Sequence, residues 1–194
     1  MGDGRQWGIR LEYKVQPSPD GLAQGLILAE DFLDGSPSAM ILGDNIFFGH
    51  GLPEILADAD AQDKGATVFG YHVSDPERYG VVGFDDAGKV QSIIEKPEVP
   101  LSNYAVTGLY FMDGTAPKRA KQVTPSTRGE LEITSLLETY LNEGTLRVEK
   151  IGRGYAWLDT GTHASLLDAS NFVRTLTERQ GLQIGSPDEV AYQL

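Results

Sequence analysis

Segments with the two-residue period of β-strands alternate along this chain with segments that have the 3.6-residue period of α-helices. Such alternation is typical of sheets whose strands are connected by helices, an arrangement that makes strands parallel. One hairpin pattern interrupts it, because the apolar strands predicted at 81–84 and 90–94 flank the polar loop 85–89. The sequence therefore predicts an α/β sandwich with a mixed sheet.

The periodicity also predicts where each element lies. Strands are expected at 9–15, 39–42, 66–73, 81–84, 90–94, 105–111, 146–151 and 155–158, and helices at 22–33, 52–61, 130–141 and 163–179. The strand at 39–42 is entirely apolar, which indicates that it is buried. Asp20 or Gly21 is placed to cap the helix at 22–33. Ligand sites are expected where the strands end, at their carboxyl edge.

Composition limits the class of protein. With 194 residues the chain is long enough to bury one core, and residues 1–194 are expected to form a single domain. It contains no cysteine, which excludes disulfides and thiolate chemistry, and its net charge of -12 argues against sequence-independent binding to nucleic acid. No apolar run approaches the ~20 residues that span a bilayer, and the first residues do not form a signal peptide. We therefore expect a cytoplasmic protein without nucleic-acid or membrane partners.

The loop 16–24 joins the strand predicted at 9–15 to the helix predicted at 22–33. It would lie at the carboxyl end of that strand, where open α/β sheets bind ligands. Gly21 permits a close approach between the backbone and a flat ligand, and Gln16 offers one donor and one acceptor that suit an amide edge. An ordinary strand-to-helix turn accounts for the same residues, so both interpretations stay open here.

Asp44 and Asp159 each stand where a predicted strand ends, close to a glycine. Two carboxylates at the carboxyl edge of one sheet can share a Mg²⁺ ion, which prefers a few hard oxygen ligands together with phosphate and water. The alternative is that each aspartate merely caps the helix that follows it. The pair is thus a candidate metal site with a purely structural alternative.

Further polar residues stand at the ends of predicted elements. Glu95 and Lys96 end the second strand of the hairpin, where a carboxylate suits sugar hydroxyls and an ammonium group suits a phosphate. An exposed Glu-Lys pair is, however, also ordinary solvated surface. Tyr79 and Gly80 close a turn whose backbone N–H groups can face a ligand, and Arg128 precedes a predicted helix N-terminus, a position that suits a phosphate. No serine or threonine lies in a nucleophile pattern, so covalent catalysis is not expected.

Seven ordered blocks together resemble the glucose-1-phosphate thymidylyltransferase family of sugar nucleotidyltransferases. They are Gln-Pro-Ser-Pro-Asp-Gly-Leu-Ala-Gln (16–24), Leu-Gly-Asp-Asn (42–45), Asp-Pro-Glu-Arg-Tyr-Gly-Val-Val (75–82), Glu-Lys-Pro (95–97), Ser-Asn-Tyr-Ala-Val-Thr-Gly-Leu-Tyr (102–110), Arg-Gly-Glu-Leu-Glu-Ile-Thr (128–134) and Gly-Tyr-Ala-Trp-Leu-Asp-Thr-Gly-Thr-His (154–163). The resemblance implies a Rossmann-like three-layer α/β/α sandwich with a mixed, mainly parallel sheet. It also implies transfer of a thymidylyl group from dTTP to glucose 1-phosphate, giving dTDP-glucose and pyrophosphate, at the entry to dTDP-rhamnose and related sugars.

The resemblance further implies a role for each candidate residue. These roles are thymine binding for Gln16 and Gly21, Mg²⁺ binding for Asp44 and Asp159, a glucose pocket formed by Tyr79, Gly80, Glu95 and Val106, and neutralisation of the sugar phosphate by Lys96 and Arg128. Lys96 and Arg128 are accordingly the expected catalytic residues. The sugar-phosphate oxygen would attack the α-phosphorus of dTTP in line, so alignment and charge stabilisation suffice. Assembly into a homo-oligomer, commonly a tetramer in the family, is implied as well.

Two parts of the family's pattern are missing from the matched blocks. The glycine-rich loop that clasps the triphosphate belongs upstream of them, and the C-terminal portion is shorter. We therefore expect a domain that is incomplete at both ends and lacks its first strand–helix unit. An inactive remnant or a binding module that keeps the sugar-nucleotide and metal residues stays open as an alternative. A transferase with another base or sugar, such as a uridylyl or glucosamine enzyme, stays open as well.

Overall fold

The computed structural model describes residues 2–181 and 183–187. The helices are α1 (Ala23–Leu28), α2 (Glu30–Leu33), α3 (Leu52–Asp60), α4 (Ala116–Ala120), α5 (Ile133–Asn142) and α6 (His163–Gln180). The strands are β1 (Ser38–Ile41), β2 (Asn45–Gly49), β3 (Ala66–His72), β4 (Gly80–Phe84), β5 (Val90–Glu95), β6 (Tyr104–Met112), β7 (Leu146–Ile151) and β8 (Tyr155–Asp159). The predicted hairpin is present as β4 and β5.

Six strands form the main sheet in the order β5-β4-β6-β3-β7, with β1 also paired to β6. Strands β3 and β7 are parallel, whereas β1–β6, β3–β6, β4–β5 and β4–β6 are antiparallel pairs. The predicted mixed sheet is confirmed, but its mainly parallel character is not seen among the described strands. The reason lies in β6: because β1 and β3 both run antiparallel to it, they are parallel to each other without being adjacent.

Alternate residues of the sheet enter two hydrophobic cores, one on each face. On β6, Val106, Tyr110 and Met112 belong to the larger core, which also contains residues of α1, α4 and α5. Leu109 belongs to the smaller core, to which α3 contributes Ala59. Helices therefore cover both faces, and the predicted three-layer α/β/α architecture is confirmed.

Strands β2 and β8 form a separate two-stranded antiparallel ribbon, in which Asn45 lies opposite Asp159. Strand β2 is absent from the sequence-based prediction because residues 45–49 show no alternation of apolar and polar side chains. The ribbon brings together two segments that lie far apart in the sequence. It thereby determines where Asp44 and Asp159 meet.

Residues 9–15 do not form the predicted strand. The side chains of Ile9, Tyr13 and Val15 are exposed, and none of the described strands pairs with this segment. An alternating pattern becomes a strand only where a neighbour satisfies its backbone hydrogen bonds. The loop 16–24 consequently does not follow a strand, which corrects the position predicted for it.

The helix predicted at 22–33 is divided into α1 and α2. Its N-cap is Leu22, without a side-chain cap, so neither Asp20 nor Gly21 caps it. The Asp20 carboxylate is instead engaged by the Gln24 amide, whose Nε2 donates to Oδ2 at 2.9 Å. The prediction rested on residue type alone, whereas the Asp20 side chain has a different hydrogen-bond partner.

Helix α5 begins at Ile133 rather than near residue 130. The backbone of Leu131 is engaged by the loop before α1: its N–H donates to the Asp20 carbonyl at 2.7 Å, and its carbonyl accepts from the Ala23 N–H at 3.1 Å. These two bonds hold Leu131 outside the helix. They also fix the loop 16–24 against the segment that carries Arg128.

Strand β1 is not the buried strand predicted at 39–42. Its exposure alternates, with Ala39 and Ile41 exposed, so one face of the strand is left uncovered. Helix α6, by contrast, begins at His163 as predicted and is capped by Thr162, whose hydroxyl accepts from the Ser165 N–H at 3.1 Å. None of the helices in the described ranges is both long and apolar enough to cross a bilayer.

Candidate active site

A cleft of about 310 Å³ lies among β4, β5, β6, the β2–β8 ribbon and the start of α5. Most of the site residues predicted from the sequence line it, namely Asp44, Tyr79, Gly80, Glu95, Lys96, Val106 and Asp159. Gln16, Gly21 and Arg128 are not among its lining residues. Arg128 nevertheless reaches the cleft through its contact with Glu95.

Asp44 and Asp159 lie at the same end of the β2–β8 ribbon. Asn45, the residue after Asp44, pairs with Asp159 across the ribbon. The carbonyl of Asp44 accepts hydrogen bonds from the N–H of Thr160 at 2.8 Å and from its hydroxyl at 3.0 Å. The ribbon therefore holds both aspartates at one wall of the cleft.

The helix-capping alternative for the two carboxylates is excluded, and their metal-binding role stays a prediction. Helix α3 is preceded by Gly51 and α6 by Thr162, so neither aspartate is an N-cap. Within the described residues, Asp44 Oδ2 and Asp159 Oδ1 accept no hydrogen bond. The described ranges contain no group of three or more Asp, Glu, His or Cys residues suited to a metal, so a cation here would draw further ligands from phosphate and water, as Mg²⁺ does.

Asp159 is held in place by the turn before β4. The Tyr79 hydroxyl donates to Asp159 Oδ2 at 2.6 Å, and Arg78 Nη2 lies 3.7 Å from the same oxygen. Burial, followed by this hydrogen bond, raises the pKa of Tyr79, so the phenol keeps the proton that it donates. The Tyr79 ring packs edge-to-face against Trp157, with the ring centroids 5.1 Å apart. These contacts fix the orientation of the Asp159 carboxylate.

Glu95, at the end of β5, is the centre of a second polar cluster. The Thr134 hydroxyl donates to Oε2 at 3.1 Å, while Arg128 Nη2 and Lys96 Nζ lie 3.3 and 3.8 Å from Oε1. Gly80 is paired with Glu95 across the hairpin, and a Cβ there would lie 2.7 Å from Thr134 Cγ2. A side chain at position 80 would therefore force the Thr134 side chain to shift.

Lys96 has a backbone φ of 40°, in the left-handed region that non-glycine residues rarely adopt. Its N–H donates to the Tyr79 carbonyl at 3.0 Å, which ties the end of β5 to the turn before β4. Backbone strain of this kind costs about 1–3 kcal/mol and clusters at functional sites. The conformation of Lys96 thus supports a functional interpretation over ordinary solvated surface.

Burial raises the pKa of Glu95, and the charge of Glu132 raises it further, while Thr134, Lys96 and Arg128 act in the opposite direction. The ionised form is therefore less favourable in the folded chain than in the unfolded one. A raised carboxyl pKa contributes stability that is fully present below the unfolded pKa and is lost as the pH rises through the folded pKa. At neutral pH the Glu95 charge consequently lowers the free energy of unfolding.

Glu95→Gln is expected to stabilise the fold at pH 7 and to lose this advantage as the pH falls below the unfolded pKa of glutamate, because the unaltered carboxyl is then neutral as well. Urea unfolding at pH 7 and pH 4 measures the difference. Glu98→Gln, which removes an exposed carboxylate from the same segment, is the control for the loss of one negative charge. Destabilisation by Glu95→Gln at pH 7 would contradict the assignment.

Several residues of the site carry no sequence signal that identifies their role. Asn45 Oδ1 accepts from Trp157 Nε1 at 2.6 Å and from the Gly108 N–H at 3.1 Å, and its Nδ2 donates to Asp44 Oδ1 at 2.7 Å. It thus joins the ribbon, β6 and the candidate metal site. Glu132 is buried, which a charged residue on its own does not predict.

Gln16 and Gly21 lie in the loop that packs against Leu131. Gln16 Nε2 donates to the Gly21 carbonyl at 3.2 Å and to Gln24 Oε1 at 2.7 Å. The next residue, Leu22, lines the cleft, which places this loop at its edge. The thymine-binding role of Gln16 and Gly21 stays a prediction.

The comparisons with known proteins identify the class to which this fold and cleft belong. A family model described as nucleotidyl transferase matches residues 1–175. The chain belongs to the nucleotidyl transferase family.

More particular relatives are glucose-1-phosphate thymidylyltransferases. The protein of that name from Xanthomonas campestris pv. campestris (strain B100) is 61% identical over 192 residues, covering 99% of this chain and 65% of the relative. The protein of that name from Neisseria gonorrhoeae is 53% identical over 193 residues, covering 100% of this chain and 67% of the relative. The chain thus spans about two thirds of the length of these relatives.

Solved structures give the same result for the fold. A Bacillus anthracis protein described as a glucose-1-phosphate thymidylyltransferase, crystallised with sucrose, superposes with a TM-score of 0.78 at 40% identity, covering 89% of this chain and 69% of that one. A UDP-glucose pyrophosphorylase bound to UDP-glucose superposes with a TM-score of 0.74 at 23% identity, covering 84% of this chain and 66% of that one. The second similarity supports the fold alone.

Proposed function

We propose that this chain transfers a thymidylyl group from dTTP to glucose 1-phosphate, giving dTDP-glucose and pyrophosphate. The observation that carries the proposal is the common cleft, which holds the Asp44–Asp159 pair and the Glu95 cluster together. The relatives named for this activity supply the substrates. Its placement in dTDP-rhamnose biosynthesis, in the cytoplasm, and in a homo-oligomer stays a prediction from the family resemblance.

In this proposal the chain binds and aligns its substrates without forming a covalent intermediate. Glu95, Tyr79 and the backbone of Gly80 and Val106 orient the glucose, while Lys96 and Arg128 offset the charge of its phosphate. A phosphate oxygen of glucose 1-phosphate attacks the α-phosphorus of dTTP. The bond between the α-phosphorus and the oxygen that bridges it to the β-phosphorus then breaks, and pyrophosphate leaves. The attacking oxygen is ionised near neutral pH, so no side chain has to remove a proton.

The Asp44–Asp159 pair would hold Mg²⁺ at this site. When bound, the ion supplies positive charge close to the phosphoryl oxygens, whose charge has to be stabilised during transfer. The contribution of the chain is to hold the two carboxylates at fixed positions, through the ribbon for Asp44 and through Tyr79 for Asp159.

Release of pyrophosphate from dTTP, glucose 1-phosphate and Mg²⁺ by the purified chain tests the proposal. Release that requires both substrates is the expected result, and competition among the four nucleoside triphosphates would establish the preferred base. Binding of dTDP-glucose without release would favour the binding-module alternative. A folded chain that neither releases pyrophosphate nor binds dTDP-glucose would contradict the proposal.

A further inference from the structure

Arg128 is held by a carboxylate that the proposed mechanism does not use. The guanidinium contacts Glu132 with Nε 3.2 Å from Oε1 and with Nη2 2.9 and 3.0 Å from Oε1 and Oε2. Only 7% of the Glu132 side chain is exposed, which makes it the most buried carboxylate around Arg128. Charge-assisted hydrogen bonds between an arginine and a carboxylate are directional, so Glu132 constrains the orientation of the guanidinium.

A second residue supports the same carboxylate. The Ser126 hydroxyl donates to Glu132 Oε1 at 2.7 Å and also accepts from the Arg128 N–H at 3.2 Å. The Ser126 backbone closes the loop, since its N–H donates to the Glu130 carbonyl at 2.9 Å and its carbonyl accepts from the Gly129 N–H at 2.8 Å. The loop and the ion pair therefore define one conformation of Arg128.

This conformation leaves part of the guanidinium available. Glu132 occupies Nε and Nη2, and Nη2 also lies 3.3 Å from Glu95 Oε1 at the cleft. Within the described residues, Nη1 has no hydrogen-bond partner. Without a fixed partner, an arginine side chain would lose substantial rotamer entropy on binding an anion. The ion pair with Glu132 orders the Arg128 side chain before the anion binds, so much of this entropy is not lost on binding.

We propose that Glu132 is a positioning residue, which fixes Arg128 beside Glu95 with Nη1 available to a phosphate oxygen of a sugar 1-phosphate. The inference rests on the proposed function, because it assigns the anion that Arg128 receives. Glu132 acts only through Arg128 and does not itself contact the substrate. Its negative charge also opposes anion binding, so the proposal requires that orientation outweighs charge.

The test compares Glu132→Gln with Glu130→Gln. Glu130 lies 3.7 Å from the same Arg128 Nη2 but has 38% of its side chain exposed, so it matches Glu132 in chemistry and not in burial. We expect Glu132→Gln to weaken binding of glucose 1-phosphate by about tenfold, because the amide lacks the negative charge and one of the two acceptor oxygens that hold the guanidinium. Glu130→Gln is expected to change it less than about twofold, as for an exposed pair.

Two further readouts separate positioning from a structural role. Binding of glucose without phosphate, followed by NMR titration, is expected to be unchanged in Glu132→Gln. In an Arg128→Lys background, Glu132→Gln is expected to cause little further loss, since residues that act through each other are not additive. If Glu132→Gln does not fold, Ser126→Ala removes one support of the carboxylate while keeping its charge, and a loss of about threefold in phosphate-ester binding is expected.

The outcomes distinguish this inference from the proposed function. If the unaltered chain fails to bind glucose 1-phosphate, the proposed function is wrong, and the inference fails with it. If it binds and Glu132→Gln binds equally well or more tightly, only the inference is wrong. An equal loss of affinity for glucose and for glucose 1-phosphate would also overturn it, because Glu132 would then merely support the fold.

Discussion

Asp44→Asn is expected to weaken Mg²⁺ binding to the chain by at least about 100-fold and to abolish measurable pyrophosphate release. The neutral amide keeps the shape of the side chain but removes one of two carboxylates at a site without a third in the described ranges. Even partners that only orient a metal ligand contribute about 10–100-fold to affinity, so a ligand itself should contribute no less. Calorimetric titration with Mg²⁺ measures the first effect without requiring turnover.

The matched control is Asp86→Asn, which changes an exposed carboxylate in the β4–β5 loop that does not line the cleft. It removes the same charge from the molecule, so a general electrostatic effect on cation binding would appear in both variants. We expect Asp86→Asn to bind Mg²⁺ as the unaltered chain does. Equal affinity of all three proteins would show that Asp44 does not hold the ion.

Gly21→Ala is expected to lower the free energy of unfolding by about 3 kcal/mol or more, the sum of backbone strain and overpacking. Gly21 has a φ of 103°, and a Cβ there would lie 2.4 Å from the Leu131 carbonyl oxygen and 2.5 Å from its nitrogen. Both obstacles are backbone atoms, which are held by hydrogen bonds to Asp20 and Ala23. Urea unfolding measures the effect.

Gly25→Ala is the matched control for Gly21→Ala. Gly25 lies in α1, and a Cβ there would have no neighbour within 4 Å. Alanine at a helical position is expected to stabilise the fold by about 0.5–1 kcal/mol relative to glycine. If Gly21→Ala unfolds at the same urea concentration as the unaltered chain, then the packing of the loop 16–24 on Leu131 is wrong.

The sequence predicted elements whose periodicity matches their surroundings. The β4–β5 hairpin, β3, β6 and β7 appear close to their predicted positions, and their apolar residues enter the two cores. Helix α6 also begins where it was predicted, at the residue after its Thr162 cap. Residues 9–15 have an equally good alternating pattern but no partner strand among the described residues. An alternating pattern shows which face of a segment is apolar. Whether the segment forms a strand also depends on a neighbouring strand with which it can pair.

The sequence predicted several residues of the candidate site but not the contacts that hold them in place. Asp44, Glu95 and Asp159 were recognisable because carboxylates at strand ends have a clear chemical interpretation. The contact of Asn45 with Trp157 joins residues that lie far apart in the sequence. The contact of Glu132 with Arg128 is local, but it forms before the start of α5, where no helical period predicts it. Local patterns therefore identify groups that can act on a substrate more readily than groups that position them.

The central claim is that one cleft carries both the cation site and the sugar-phosphate site, and a crystal structure of the chain with Mg²⁺ and glucose 1-phosphate tests it most directly. The account predicts an ion between Asp44 and Asp159, glucose hydroxyls on Glu95, and the phosphate beside Lys96 and Arg128. Glucose 1-phosphate bound outside the cleft, or an ion held by other residues, would contradict it.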